Sequence, residues 1–380
     1  MARLELNAVV DGGRPQVLVW RDARGQVARA RFDLTGLPRV ESVLIGRPVA
    51  EVPALVERLC GICPAAHHLA GVRALEALTG GVTLSAEAER MRRLLHYGAV
   101  LQTHAFHWLP TQPQAAMVLG KYAKTVLAAA GSPGHFPATA IVGGVTAALT
   151  DAGRAAVLAG AAAAFAALQQ IPASEPTPVT PHFLNVGLAT ADGTPDLFGT
   201  HLRAVTDTGE VVANTTALAI AEAEPGSPAP RPYLRDLGPS DGQYRVGPHA
   251  QVSLGELSTE QAAQLQGRAE PRVVIALHCL EMITRLADQA PTPTASPQVG
   301  WVDSARGLLV HHYQADAAGQ LTAAVILTPT AQNEPWLAAL LTEALQTGGD
   351  LEAAVRLADP CLPCTAALPG QMNLELIEAR

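Results

Sequence analysis

Two Cys-x-x-Cys pairs, Cys60-Gly61-Ile62-Cys63 and Cys361-Leu362-Pro363-Cys364, stand near opposite ends of a 380-residue chain and hold four of its five cysteines. Thiols at i and i+3 can turn toward one soft metal ion, so each pair is half of a thiolate site. From Cys63 to Cys361 is 298 positions. If the pairs meet, the fold must carry the tail back onto the first Cys-bearing helix, and everything between becomes scaffold. An odd cysteine count, with no export signal readable in Met1-Ala2-Arg3-Leu4-Glu5, argues against a disulfide framework. A structural zinc site is a competing reading, although zinc knuckles usually pair cysteines about 15–20 residues apart.

The formal charge of −8 gives no general attraction for phosphate backbones or anionic lipid, so neither nucleic acid nor a membrane surface is expected as a partner. The longest apolar run, Val157 to Leu168, falls short of the roughly 20 residues that span a bilayer. A cytoplasmic protein without membrane insertion is expected.

Along the chain, residues 1–33 alternate apolar and polar, with turns at Asp11-Gly12-Gly13 and Ala23-Arg24-Gly25, and predict a small antiparallel β-region. Val40–Arg47 and Val52–Leu59 read as short helices broken at Pro48 and Pro53. The first cysteine pair then leads into a helix from about Ala65 to Leu78. Ser85–Leu109 is a long helix whose His96, His104 and His107 read as core residues, and an Ala-rich helix covers about Asp151–Gln170. Residues 171–247 are dense in proline and glycine and predict an irregular β-containing insertion. Helix returns over Ser258–Ala290, carrying Cys279 as a core thiol. A strand pair follows across Gly319, and then a helix starts at Asn333-Glu334-Pro335. The expected fold is a single α+β domain over 1–380 with a mainly helical body.

The company of the cysteines is more specific than their spacing. Arg58, Cys60, Gly61, Cys63 and His67 form R-x-C-G-x-C-x-x-x-H, and Asp359, Pro360, Cys361 and Cys364 form D-P-C-x-x-C. The sequence here resembles the large subunit of nickel–iron hydrogenases. Further matches are Glu41 with Gly46-Arg47, His135-Phe136-Pro137, Tyr244 to Pro248, Ala305-Arg306-Gly307 with His311, and Pro329-Thr330 with Asn333. The resemblance implies a hydrogenase-large-subunit-like fold in which Cys60 and Cys361 are terminal nickel ligands. Cys63 and Cys364 would bridge nickel to an iron carrying two cyanides and one carbon monoxide. It also implies that Arg306 and Thr330 hydrogen-bond the cyanides, that His67 donates toward a bridging sulfur, and that Glu41 helps hold a magnesium ion.

Three departures stand against that pattern. The second signature should close with histidine but has Ala367; in the enzymes that histidine is the magnesium partner and marks the point where an endopeptidase removes a tail. Of the R-I-E-G-H stretch, only Arg3-Leu4-Glu5 is present, so Glu5 is a weak candidate for the proton-relay glutamate. Thr111 stands where an aspartate is expected. These losses resemble the large-subunit-like maturation proteins of the HupK type. The expectation is therefore an assembly scaffold, not an enzyme. It would hold an Fe(CN)2(CO) unit with nickel left open, and its partners would be maturation chaperones and the true large subunit. The alternatives are a catalytic large subunit paired with an iron–sulfur small subunit, and a zinc or metal-free relative such as the related respiratory-complex subunit.

Overall fold

The structure is a computed structural model that describes residues 15–35, 40–172 and 182–379. The expected turn at Asp11-Gly12-Gly13, and Glu5 with it, lie outside the described residues. Strands β1 (Gln16–Arg21) and β2 (Val27–Phe32) form a hairpin closed at Gly25, whose φ of 76° suits glycine. After α1 (Glu41–Leu44) comes α2 (Val52–Val56), which Pro53 helps to start rather than break, because proline at a first turn removes only an N–H that has no helical partner. Next come α3 (Pro64–Leu78), α4 (Ala86–Trp108), capped by Ser85 Oγ, and α5 (Pro113–Ala129). A tight hairpin of β3 (Ala140–Ile141) and β4 (Gly144–Val145) precedes α6 (Asp151–Leu168), capped by Thr150.

The insertion supplies β5 (Leu184–Ala189), β6 (His201–Val205), β7 (Val211–Thr215), β8 (Ile220–Glu222), β9 (Pro232–Leu234), α7 (Gly238–Asp241) and β10 (Tyr244–Arg245). These strands make a four-stranded sheet in the order β10-β5-β6-β7 and a β8-β9 pair. Beyond it lie α8 (Pro248–Ser253), α9 (Glu260–Leu265) and α10 (Pro271–Asp288), then an antiparallel sheet of β11 (Gly300–Ser304), β12 (Gly307–Ala315) and β13 (Leu321–Leu327). The chain closes with α11 (Pro329–Gln332), α12 (Glu334–Thr347), α13 (Leu351–Ala358) and β14 (Glu375–Glu378). This is the α+β fold expected.

The described residues bury three apolar cores. The largest joins α3, α4, α5, α6 and α10 with β12; a second joins β1 and β2 with α12, α13 and the second cysteine turn; a third lies between the insertion sheet and β11–β13. Buried Arg92 of α4 grips Glu76 of α3 at 2.6 and 3.0 Å and donates to the carbonyls of Ile141 and Gly144, while Gly143 N–H returns to Glu76 at 2.9 Å. That network ties the β3–β4 hairpin, where the sequence shows Gly143-Gly144, to the two helices behind the first cysteine pair.

One expectation needs correction. The N-terminal sheet is mixed rather than antiparallel: β14 pairs parallel with β1, in register from Gln16↔Glu375 to Val19↔Glu378. Parallel pairing needs a crossover, and here nearly the whole chain is that crossover. The Ala-rich helix, expected over about Asp151–Gln170, runs from Asp151 to Leu168 and, by length and composition alone, is long and apolar enough to cross a bilayer.

Candidate metal centre

The first cysteine pair sits at the entrance to a deeply buried helix. Cys63 is the residue before α3, Pro64 opens that helix, and α3 is buried along nearly its whole length. The second pair is delivered by a sharper device. Helix α13 ends at Asp359, a non-glycine residue in the left-handed region at φ 44°, and the chain turns at once into Pro360-Cys361. The backbone N–H of Cys361 then donates to Thr330 Oγ1 at 2.8 Å. The sulfurs of Cys60 and Cys361 stand 3.5 Å apart, and those of Cys60, Cys63 and Cys361 lie within 4.8 Å of one another.

Cys364 does not join them. A short 3-10 turn, Pro363–Ala366, places it in the second apolar core, and the cavity above the other three thiols is lined by Cys361 and Leu362 but not by Cys364. Its expected bridging position would require the turn to rotate. Burial pushes the Cys364 thiol up to about 11, so it stays protonated. The trio behaves differently: hydrogen bonds from Cys361 and Cys63 hold the Cys60 thiol far below its ordinary range, while contacts with Cys361 and Cys60 raise Cys63, and the contact with Cys60 raises Cys361. Cys60 is thus the thiol of the three that gives up its proton most readily, as a ligand to a soft cation must.

Arg306 lines the same cavity from the β11–β12 turn. Gly307 has φ 119°, and a Cβ there would meet Gly247 N at 2.5 Å, so the two glycines clasp the turn from both sides. The Arg306 Nε donates to Asp359 Oδ1 at 3.4 Å, and Arg272 donates to Asp359 Oδ2 at 3.4 Å. Burial opposes the Arg306 charge, but Asp359 and the nearby cysteines outweigh it and push its pKa up. Burial likewise opposes the Asp359 carboxylate, yet the two arginines hold its pKa down. Arg272, at the start of α10, has no sequence signal that would have flagged it. Thr330 also lines the cavity; its hydroxyl can accept from Cys361 N–H and still donate toward the cavity.

His67 lines the cavity too, but its Nδ1 meets His311 Nε2 at 3.1 Å, and His311 in turn meets the Tyr313 hydroxyl. Only Nε2 is left for any donation toward a sulfur. Burial lowers the His67 pKa to about 4. Glu41, in the first turn of α1, lines the cavity as well. Position 367, where the resemblance expects a histidine, is Ala367, which has no side-chain donor atom. His96 and His104 are buried as expected of core residues, and Cys279 is a fully buried thiol of the first core.

The cavity encloses about 730 Å³. Exposed apolar side chains gather at its rim: Ile62 and Phe106 line it, and Phe136, between the lining residues His135 and Pro137, lies under the Arg58 guanidinium.

A half-buried cluster of three thiols beside an arginine is a candidate thiolate metal site. The sequence family described as nickel-dependent hydrogenase matches residues 39–110. The chain is 26% identical to the NAD-reducing hydrogenase HoxS subunit beta of Cupriavidus necator, over 95% of this chain and 94% of that protein. It is 25% identical to an F420-non-reducing hydrogenase protein of Methanothermobacter marburgensis, over 96% and 95%. Among solved structures, an NAD+-reducing [NiFe]-hydrogenase in the H2-reduced state superposes with a TM-score of 0.77 at 27% identity, covering 92% of this chain and 95% of that one. The Ni-Fe-Se hydrogenase of D. vulgaris Hildenborough shares the fold at a TM-score of 0.63 and 16% identity, covering 91% of this chain and 95% of that one. The chain is thus similar in sequence to nickel-dependent hydrogenase proteins and shares the fold of an NAD+-reducing [NiFe]-hydrogenase chain. These relatives carry the names of hydrogenases and not of maturation proteins, which turns the balance of the sequence reading toward its catalytic alternative.

Proposed function

We propose that this chain is the large-subunit component of a nickel–iron hydrogenase, interconverting dihydrogen with two protons and two electrons. The observation that carries this reading is the convergence of Cys60, Cys63 and Cys361, from opposite ends of the sequence, on the floor of one cavity within a hydrogenase large-subunit fold. Soft thiolates suit both nickel and iron. These three cysteines would hold the group, with Cys364 joining when its turn rotates, and the bound group would supply the activation of dihydrogen. Arg306 offers charge-assisted donors to anionic ligands on that group, fixed in direction by Asp359. Thr330 anchors the Cys361 backbone, and His311 sets the His67 ring. The apolar rim around Ile62, Phe106 and Phe136 supports docking of an iron–sulfur partner protein that carries the electrons.

A second reading keeps the cysteines but not the turnover: a scaffold that holds the iron with its diatomic ligands for transfer to another large subunit. Cys364 turned into the core and alanine at position 367 favour it. Anaerobic purification with copurifying partners separates the two. Hydrogen-dependent dye reduction by a complex containing both nickel and iron supports the enzyme. Cyanide and carbon monoxide infrared bands with iron, no nickel and no hydrogen turnover would replace it with the scaffold. Stoichiometric zinc with neither band would sink both.

A further inference from the structure

The segment that follows the second cysteine pair is built into the protein. Arg356 of α13 donates from Nη1 to the Thr365 carbonyl at 3.1 Å and from Nη2 to the carbonyls of Ala367 and Leu368 at 2.9 and 3.2 Å. One helical turn earlier, Glu352 accepts from the backbone N–H groups of Met372 at 2.7 Å and Gly370 at 2.8 Å, and pairs with Arg356 at 3.3 Å. Met372 is 2% exposed, within the second core. Beyond it β14 lies along β1, with Gln16 donating to Glu375 and Arg21 to Glu378 across the pair. A helix that runs into the cysteines is thus cross-braced to the chain that runs out of them, and that chain goes on to form the third strand of a sheet.

We propose that residues 365–378 are a permanent strap, retained in the metal-loaded protein, and that Arg356 and Glu352 are positioning residues which hold the Cys361–Cys364 turn through it. A strap of this kind cannot be shed cheaply. Cutting near Ala367 removes Met372 from an apolar core and leaves β1 with an unpaired edge. It also frees one end of the turn that presents Cys361. The guanidinium of Arg356 binds carbonyls on both sides of Ala366, so this part of the chain is fastened by an internal cation. The inference rests on the metal-centre reading only for the ligand role of Cys361.

The test uses the full chain, reduced and anaerobic, titrated with cobalt(II) and followed by thiolate-to-cobalt charge-transfer absorption, alongside backbone hydrogen exchange and intact mass. Arg356→Ala and Glu352→Gln are expected to weaken cobalt binding about 10- to 100-fold, the range for residues that orient metal ligands. Exchange should rise across 365–378 but not in α4 or α10, and Arg356→Lys should recover part of the affinity. Arg154→Ala, which removes a surface pair with Asp288, should change neither. The proposal is overturned by unchanged affinity and exchange in both variants, or by metal-loaded wild type whose mass lacks the residues after Ala367. If wild type takes up no cobalt, the metal reading fails, and unprotected amides over 375–378 would then overturn the strap on their own.

Discussion

The two cysteine pairs have the same spacing but different foundations. Cys60 and Cys63 stand at the head of α3 in the largest core, and both thiols face the cavity. Cys361 and Cys364 stand on the second core, between α13 and β14, and they divide: one thiol faces the cavity and the other faces apolar side chains. The metal centre is therefore a seam between two bodies. One side is fixed by helix burial. The other is fixed by a turn, an aspartate and a strap.

The largest test of that contrast is loss of single thiols. Cys60→Ala, Cys63→Ala and Cys361→Ala should each reduce cobalt(II) affinity by more than the about 100-fold that outer residues cost, whereas Cys364→Ala should cost less than about tenfold while its turn stays rotated away. Equal losses at all four would show that the turn swings in on binding. Next comes Asp359→Asn, which leaves Arg306 and Arg272 without their shared carboxylate. Breaking such a buried pair costs about 3–5 kcal/mol, seen as a lowered denaturation midpoint together with weaker metal uptake.

Proton linkage should then separate the two bodies. Burial lowers His96 and His249 to about 3 and His278 to about 4, so all three are neutral when folded and become charged only on unfolding below their ordinary range. The unfolded state binds more protons, and stability falls as pH drops through about 6.5 toward 4. From pH 8 to pH 6 these three contribute about 2–3 kcal/mol of a larger fall, because burial also lowers His67, His68, His104, His107 and His311. Glu352 is held below its ordinary range, against its slight burial, by the Met372 and Gly370 N–H groups and Arg356, so the strap should keep its hydrogen bonds over the same interval. Thermal melts for the whole chain and hydrogen exchange over 365–378 report the two responses separately. The smallest effect is expected of Thr330→Val, which removes the acceptor for Cys361 N–H at about 1 kcal/mol and should shift cobalt affinity only a few-fold.

Much of this was legible in the sequence because local signals carry it. An apolar period of three to four residues gave α4 and alanine richness gave α6, both nearly to their ends, and proline at the first turn gave the start of α12. Signature residues brought Cys60, Cys63, Cys361, Arg306, Thr330 and Glu41 to one cavity. What escaped had no local signal. Helix α5 begins after Gln112 without a side-chain cap, and β14 is exposed and mixed in composition, with its partner 359 positions away. The facing of Cys364 depends on one 3-10 turn rather than on its spacing. Arg356 and Glu352 are legible as an i, i+4 pair, but their other partners are backbone groups, which leave no trace in side-chain identity.

The parallel pairing of β14 with β1 also orders events in time. A ribosome makes β1 long before β14, so the sheet beneath the second cysteine turn stays open through most of synthesis. The helical body with Cys60 and Cys63 can fold before then, but the sheet that braces the second cysteine turn closes only when β14 has emerged. Until Cys361 has been made, the chain offers the thiols of Cys60 and Cys63 without their counterpart.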